Sequence, residues 1–325
     1  MISLDRATRC GISAGPEDRH VAAATLRTMN APIVVSGPAA WNRIVYLEHL
    51  PEPVPHMQFA LDDYETIGGT SAGKALGLAA LGRPVLLHTL LGDDEEGRRV
   101  QGALEASGVA FASLAAARTE SHLNLMTRQG ERVSLYLSAP ADPGTPPSTE
   151  LAQAMRDAPA IVLDLSERSH GLIGAARATG RPIWTDIHDY DGSAEFHRPF
   201  IRAADWIFMN ADRIGDDPRP FMEQCVRGGA SVVVCTLGAQ GAIAISAGDH
   251  GRMLRSEVAA VPVEVLDTNG AGDAFMSGVL DAHLDGAALD EALEAGARHA
   301  ATVLTTRHLH PVLDGVLDEA PRPVE

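Results

Sequence analysis

Lysine is almost missing from this chain. Lys74 is the only one among 325 residues, so arginine supplies nearly all of the fixed positive charge. Cysteine is scarce as well. Cys10, Cys225 and Cys235 are odd in number and lack metal-ligand spacing, which fits reduced thiols and predicts a cytoplasmic protein. No uncharged apolar run approaches the roughly 20 residues that cross a bilayer, which excludes a membrane-spanning helix. The first 28 residues carry Asp5, Arg6, Arg9, Glu17, Asp18 and Arg19 with no apolar core, so they are not a secretory signal. Residues 1–30 read as a disordered extension ahead of one domain over 31–320. The formal charge of −17 argues against nucleic acid or an anionic membrane as the main partner. A phosphate-bearing ligand stays open, because a local ring of N–H donors works inside a negative field.

What is present is organised around Asp267-Thr268-Asn269-Gly270-Ala271-Gly272-Asp273-Ala274-Phe275. A strand-like run, residues 259–266, leads into it, and a helical run, Ala274 to Leu284, leads out. Two glycines at the mouth of a helix leave backbone N–H groups unpaired at the positive end of the helix dipole, a place for an anion. Asp273 falls in the first turn, where a carboxylate serves as a cap or as a base.

Elsewhere short apolar runs alternate with helical segments. Ile33–Ser36, Ile161–Leu165, Pro182–Ile187, Asp205–Asn210 and Ser231–Thr236 predict a parallel sheet covered on both faces. Ligands of such sheets bind at the carboxyl ends of the strands, where Asp164, Asp186, Asn210 and Thr236 fall. Residues 93–108 predict a helix with an acidic first turn and a glycine stop. From Ser121 the period changes to two around Arg128-Gln129-Gly130-Glu131, which predicts a hairpin.

The stretch from Gly68 to Ala75 reads Gly-x-x-x-x-Gly-Lys-Ala, one residue short of a phosphate-binding P-loop. Ala75 lacks the hydroxyl that would hold magnesium, and the preceding Leu61 to Thr66 is too acidic for the buried strand a P-loop follows. Two histidines, His308 and His310, have no carboxylate partner in sequence and read as surface residues rather than metal ligands.

The nonapeptide 267–275 resembles, over its whole length, the C-terminal signature of the ribokinase-like (PfkB) carbohydrate kinases. Gly68-Gly69 with the helix behind it, and Leu91-Gly92-Asp93-Asp94, resemble the N-terminal signature. The likeness runs from about Ile33 to Thr306. It implies a three-layer α/β/α sandwich with a mostly parallel sheet. It also implies a small β-sheet lid from strands at about 44–67 and 119–138, through which two copies would form a homodimer. It further implies a cytoplasmic ATP- and Mg2+-dependent kinase acting on a small sugar or sugar derivative, with Asp273 as general base and Gly270, Ala271 and Gly272 as the anion hole.

On the same footing, Asn42, Gly68, Gly69, Gly73 and Lys74 become substrate-side residues, although an exposed helix lysine reads equally well for Lys74. Asn210, Thr236, Gly238 and Gly241 become the ATP side, and Asp267 a site for a monovalent cation such as K+. Three positions depart from the pattern. Asn42 replaces an aspartate, Gly73 an asparagine, and Arg213 the glutamate of an Asn-x-x-Glu element that organises magnesium, whose role would then pass to Asp212, to Asp216 or to no local residue. A nucleoside kinase is the alternative, with Trp41, Phe59, Tyr64 or His122 as the platform for a base, although aromatic residues make up only 4% of the chain. A non-catalytic binding or regulatory relative of the same fold is a second alternative.

Overall fold

The computed structural model describes residues 31–318, so the expected extension over 1–30 and Cys10 lie outside it. In chain order the strands and helices begin with β1 (Ile33–Ser36), β2 (Ala40–Leu47), β3 (Asp62–Gly68), α1 (Thr70–Ala80) and β4 (Val85–Gly92). There follow α2 (Glu95–Ala106), β5 (Ala110–Ala116), β6 (Glu120–Thr127), β7 (Arg132–Ser138) and α3 (Thr149–Asp157). Next come β8 (Ile161–Leu163), α4 (Glu167–Ala178), β9 (Ile183–Asp186), α5 (Arg198–Ala203) and β10 (Trp206–Asn210). The rest is α6 (Arg219–Arg227), β11 (Val232–Thr236), β12 (Ala242–Ala247), β13 (Met253–Val258), α7 (Ala271–Leu284) and α8 (Leu289–Val303), with short turns of helix beyond.

Nine strands form one sheet in the order β13-β12-β11-β10-β9-β8-β1-β4-β5. It is parallel except for β12 and β13, which pair antiparallel at one edge. Alternation along each strand builds two separate cores. Val35, Leu87, Val162 and Val234 pack against Leu76 of α1, Leu104 of α2, Phe275 of α7 and Leu293 of α8. Val34, Ile161, Ile207 and Val233 face the other way, onto Leu151 of α3, Leu172 of α4, Phe200 of α5 and Met222 of α6. The result is the expected three-layer sandwich. Helix starts follow local chemistry: Asp94, Ser148 and Ser166 each accept a hydrogen bond from a first-turn N–H of α2, α3 and α4.

The second sheet has the order β3-β2-β6-β7. Its inner face carries Asn42, Tyr46, Tyr64, Thr66, His122 and Asn124, and its outer face Leu123, Leu125, Val133, Leu135 and Leu137.

Two local expectations fail. Residues 259–266 form no strand, because β13 ends at Val258 and Pro262 cannot donate to a ladder. His308 and His310 are buried rather than superficial. His308 hydrogen-bonds Thr66 Oγ1 through Nδ1 at 2.9 Å and Asp318 through Nε2 at 3.2 Å. The carboxylate partner lies ten residues further on, so its nearness follows from how the C-terminal segment folds back.

Candidate active site

The chain reverses direction across the sheet between β1 and β8, and a ligand crevice forms at such a switch point. Its floor is built by close approach. Asn42, on β2, lies against Gly68, where any Cβ would overlap its amide. Gly69, at φ 90°, lets the chain turn under the Pro38 carbonyl into α1. Ser71, on the first turn of α1, donates to Asp164 Oδ2 at 2.7 Å just past the end of β8.

The other wall is the start of α7. Gly270 takes a left-handed conformation, φ 77°, that turns the chain into the helix, and no side chain caps the N–H groups behind it. Asp267 Oδ1 accepts from the Asn269 N–H at 2.7 Å and shapes the approach. A Cβ built on Gly272 meets nothing within 4 Å, so the first turn of α7 opens onto free space.

Asp273 does not cap its helix. Its Oδ1 accepts from Lys74 Nζ at 2.6 Å, and its Oδ2 lies 2.7 Å from where a Cβ on Gly73 would sit. Lys74 is 1% exposed, which overturns the reading of it as a surface lysine. Its position in the middle of α1, not at a helix mouth, also removes the P-loop reading. Around Nζ stand Asp164 Oδ1 at 3.1 Å and Asp186 Oδ2 at 3.5 Å as well as Asp273. Asp186 Oδ1 accepts from the His188 N–H at 2.9 Å. His188 is the one non-glycine residue with positive φ among those described, at 49°, a conformation that costs roughly 1–3 kcal/mol and persists only under tight constraint.

Electrostatics follow from this packing. Burial raises the Asp273 pKa to about 6, helped by Asp164 and Asp186 and opposed by Lys74. Burial opposes the Lys74 charge, but Asp164, Asp273 and Asp186 outweigh it and hold the ammonium above its ordinary range. Burial would likewise raise Asp186, yet His188 and Lys74 hold it below the usual carboxylate range.

Asn210, Thr236, Gly238 and Gly241 are not part of this cluster. They stand at the carboxyl ends of β10 and β11, two and three strands beyond β8, on the order of 10–15 Å along the sheet at about 4.8 Å per strand. Gly241, φ 94°, passes so close to the Val258 carbonyl that a side chain has no room. Asn210 Oδ1 accepts from the Asp212 N–H at 3.1 Å, and Arg213 projects outward.

The small sheet reaches the α7 entrance directly. Tyr46 donates to Asp267 Oδ2 at 2.6 Å, Tyr64 shares its hydroxyl proton between that oxygen at 3.0 Å and the Arg307 carbonyl at 2.7 Å, and Arg132 donates to Asn269 Oδ1 at 3.1 Å. Residue patterns alone did not single out the tyrosines in this role, nor Asp164 and Asp186 as partners of Lys74. Position at a strand end was the only signal for the two aspartates.

A switch-point crevice in a mostly parallel sheet, a glycine turn opening a helix, and a small sheet across it define the ribokinase-like class. Comparison with known proteins agrees. The family model described as pfkB family carbohydrate kinase matches residues 62–312, and the chain belongs to that family, whose members are phosphotransferases with an alcohol group as acceptor. It is 31% identical over 280 residues to an acarbose 7(IV)-phosphotransferase of Actinoplanes sp., covering 85% of this chain and 93% of that one. A nucleoside kinase of Methanothermobacter thermautotrophicus is 28% identical over 269 residues, covering 79% and 84%. Among solved structures, a microbiome-derived acarbose kinase superposes with a TM-score of 0.72 at 30% identity, over 86% of this chain and 94% of that one. Arabidopsis thaliana ribokinase with ribose and ATP shares the fold at a TM-score of 0.70 and 21% identity, over 86% and 94%.

Proposed function

We propose that the chain transfers the γ-phosphate of ATP to a hydroxyl of a small sugar or sugar derivative, with Asp273 as general base. The substrate oxygen attacks the γ-phosphorus while its proton passes to the Asp273 carboxylate, and the bond to the ADP leaving group breaks. N–H groups from Gly270 to Gly272 face the charge of the transferring phosphoryl, a placement that phosphoryl transfer requires more than covalent help. The observation that carries this reading is Asp273 itself: a buried carboxylate with raised pKa in the first turn of an uncapped helix. Asn42 Oδ1 and Asn124 Oδ1 support a polyhydroxylated substrate. Both are buried acceptors without a partner in the protein, each suited to a substrate hydroxyl.

A nucleoside fits less well. Trp41 lies on the opposite face of β2 from Asn42 and under Arg99, and Phe59 is exposed. Tyr64 is engaged with Asp267, which leaves His122, tilted against Tyr136 with ring centroids 3.9 Å apart, as the platform. The relatives named for acarbose also favour the carbohydrate side. A non-catalytic relative would have no use for a base held in this manner.

Thr236, Gly238 and Gly241 form the turn over which ATP would lie. Magnesium entering with ATP would find oxygen donors in the exposed carboxylates of Asp212 and Asp216 beside Asn210, and would spread the phosphate charge. Asp267 Oδ2 accepts from the tyrosine hydroxyls and Oδ1 from the Asn269 N–H, so a potassium ion at Asp267 would share that carboxylate with these donors. The two described cysteines are buried thiols, consistent with a cytoplasmic enzyme, and the apolar outer face of the lid sheet suits a homodimer.

The test is an ATP-consumption screen over sugars, sugar acids and nucleosides with magnesium, on the wild type and Asp273→Asn. Activity on a sugar that falls by about 10²–10⁴-fold in a folded Asp273→Asn supports the reading. Near-normal turnover in that variant overturns it.

A further inference from the structure

Lys74 cannot be explained as a stability device. One ammonium, buried with three carboxylates, is removed from water at a desolvation cost that Coulomb attraction only partly offsets, and apolar replacements of such clusters are often neutral or stabilising. The chain uses arginine everywhere else, so the single lysine stands where a compact three-donor cation is needed, not a planar fork.

The geometry points to what it does. Lys74 Nζ takes Asp273 Oδ1 at 2.6 Å, and Asp273 Oδ2 is pressed toward Gly73. The carboxylate is therefore held through Oδ1, while Oδ2 occupies the space that the missing Gly73 side chain leaves. Asp164 and Asp186 face the same ammonium from the ends of β8 and β9, with His188 behind Asp186 at 3.4 Å. Asp164 Oδ2 is taken by Ser71, while its Oδ1 has no aligned hydrogen bond and is within reach of Nζ.

We infer that Lys74 is a positioning residue: it keeps Asp273 ionised and oriented for proton transfer, and it turns toward Asp164 and Asp186 when Asp273 becomes neutral. This rests on Asp273 being the base. Without Lys74, three carboxylates would share one buried space, and Asp273 would hold its proton. With Lys74 alone, a proton arriving on Asp273 would leave an unpaired buried ammonium. The two further aspartates remove that penalty, so the proton can arrive and leave without orphaning a charge. Asp164 then has a role of its own, as the second resting partner of the ammonium.

The experiment uses the wild type, Lys74→Met, Lys74→Met with Asp164→Asn, and Asp273→Asn, on the best sugar from the substrate screen. In Lys74→Met the acid limb of the kcat/KM profile is expected to move upward by about 1–3 pH units, with KM for the sugar little changed. The double variant, which removes one carboxylate with the cation, should fold at least as well and recover part of that shift. A raised KM with an unmoved acid limb would make Lys74 a substrate contact and overturn the inference. An unmoved profile with unchanged constants would overturn it too, and if Asp273→Asn stays active the base assignment itself fails. A measurement on the intact enzyme guards against misfolded variants. Labelling with 15N-lysine gives one side-chain signal, because there is one lysine. A slowly exchanging ammonium resonance at neutral pH that shifts in Asp273→Asn is expected. A fast-exchanging signal indifferent to Asp273 overturns the inference.

Discussion

Tyr46 and Asp267 stand 221 residues apart in sequence and share a hydrogen bond of 2.6 Å. Tyr64, on the neighbouring strand of the same small sheet, donates to the same oxygen and stacks on Tyr46 at 6.5 Å. The sheet is thus fastened to the loop that opens α7. Burial and the Asp267 charge raise the pKa of both tyrosines well above the ordinary value, so the fastening stays protonated across the working pH range.

Removing both hydroxyls, Tyr46→Phe with Tyr64→Phe, leaves a buried carboxylate without the Tyr46 donor and the one it shares with the Arg307 carbonyl through Tyr64. Hydrogen bonds to charged groups contribute about 1.5–3 kcal/mol each, and the pair is expected to be non-additive because the two share an acceptor. A lower Tm and faster amide exchange in β2 and β3 are expected. Unchanged exchange in the small sheet would show that the fastening does not govern it.

Gly73→Ala separates packing from chemistry. Alanine in a helix interior is ordinarily more favourable than glycine by about 1 kcal/mol. Here the added methyl would stand 2.7 Å from Asp273 Oδ2, and the carboxylate must move. We expect a Tm within a few degrees of wild type with kcat/KM lowered about tenfold or more, since misplacing a reacting group by an ångström is costly. Activity retained in full would mean that Asp273 works from another position.

The pH profile follows from the same carboxylate. A base must be deprotonated, and burial raises Asp273 to about 6. The active fraction is therefore nearly complete above that value and falls as pH drops through it, so kcat/KM should decline about tenfold per pH unit below the limb. An acid limb near the ordinary carboxylate range of about 4 would contradict the burial seen here.

On the outer face of the small sheet, Leu123 pairs with Leu135 and Leu125 with Val133, and Leu135 and Leu137 are largely open to solvent. If this face joins two copies, Leu135→Asp should convert a dimer to a monomer by sedimentation at unchanged helix content. A wild type that sediments as a monomer at micromolar concentration sinks the dimer.

Much of the architecture was legible because period and length carry it. The runs at 33–36, 161–163, 206–210 and 232–236 are short and apolar and become buried parallel strands, and the alternation after Ser121 becomes the hairpin of β6 and β7. The stretch 259–266 looked equally strand-like, but β13 ends at Val258 and Pro262 cannot donate to a ladder. Gly73 departs from the family pattern, and only the packed structure shows that a Cβ there would stand 2.7 Å from Asp273 Oδ2.

The chain by itself determined the layered α/β fold, the two glycine signatures and the placing of an acid in the first turn of a helix opened by glycine, because these depend on residues close in sequence. Tertiary structure alone decided the company that acid keeps. Lys74, Asp164, Asp186 and Asp273 come from four separate elements, and Tyr46 and Tyr64 reach Asp267 across the crevice. Burial, which sets whether a lysine is a solvated surface charge or the partner of a buried carboxylate, is a property of the packed whole and is written in no single segment.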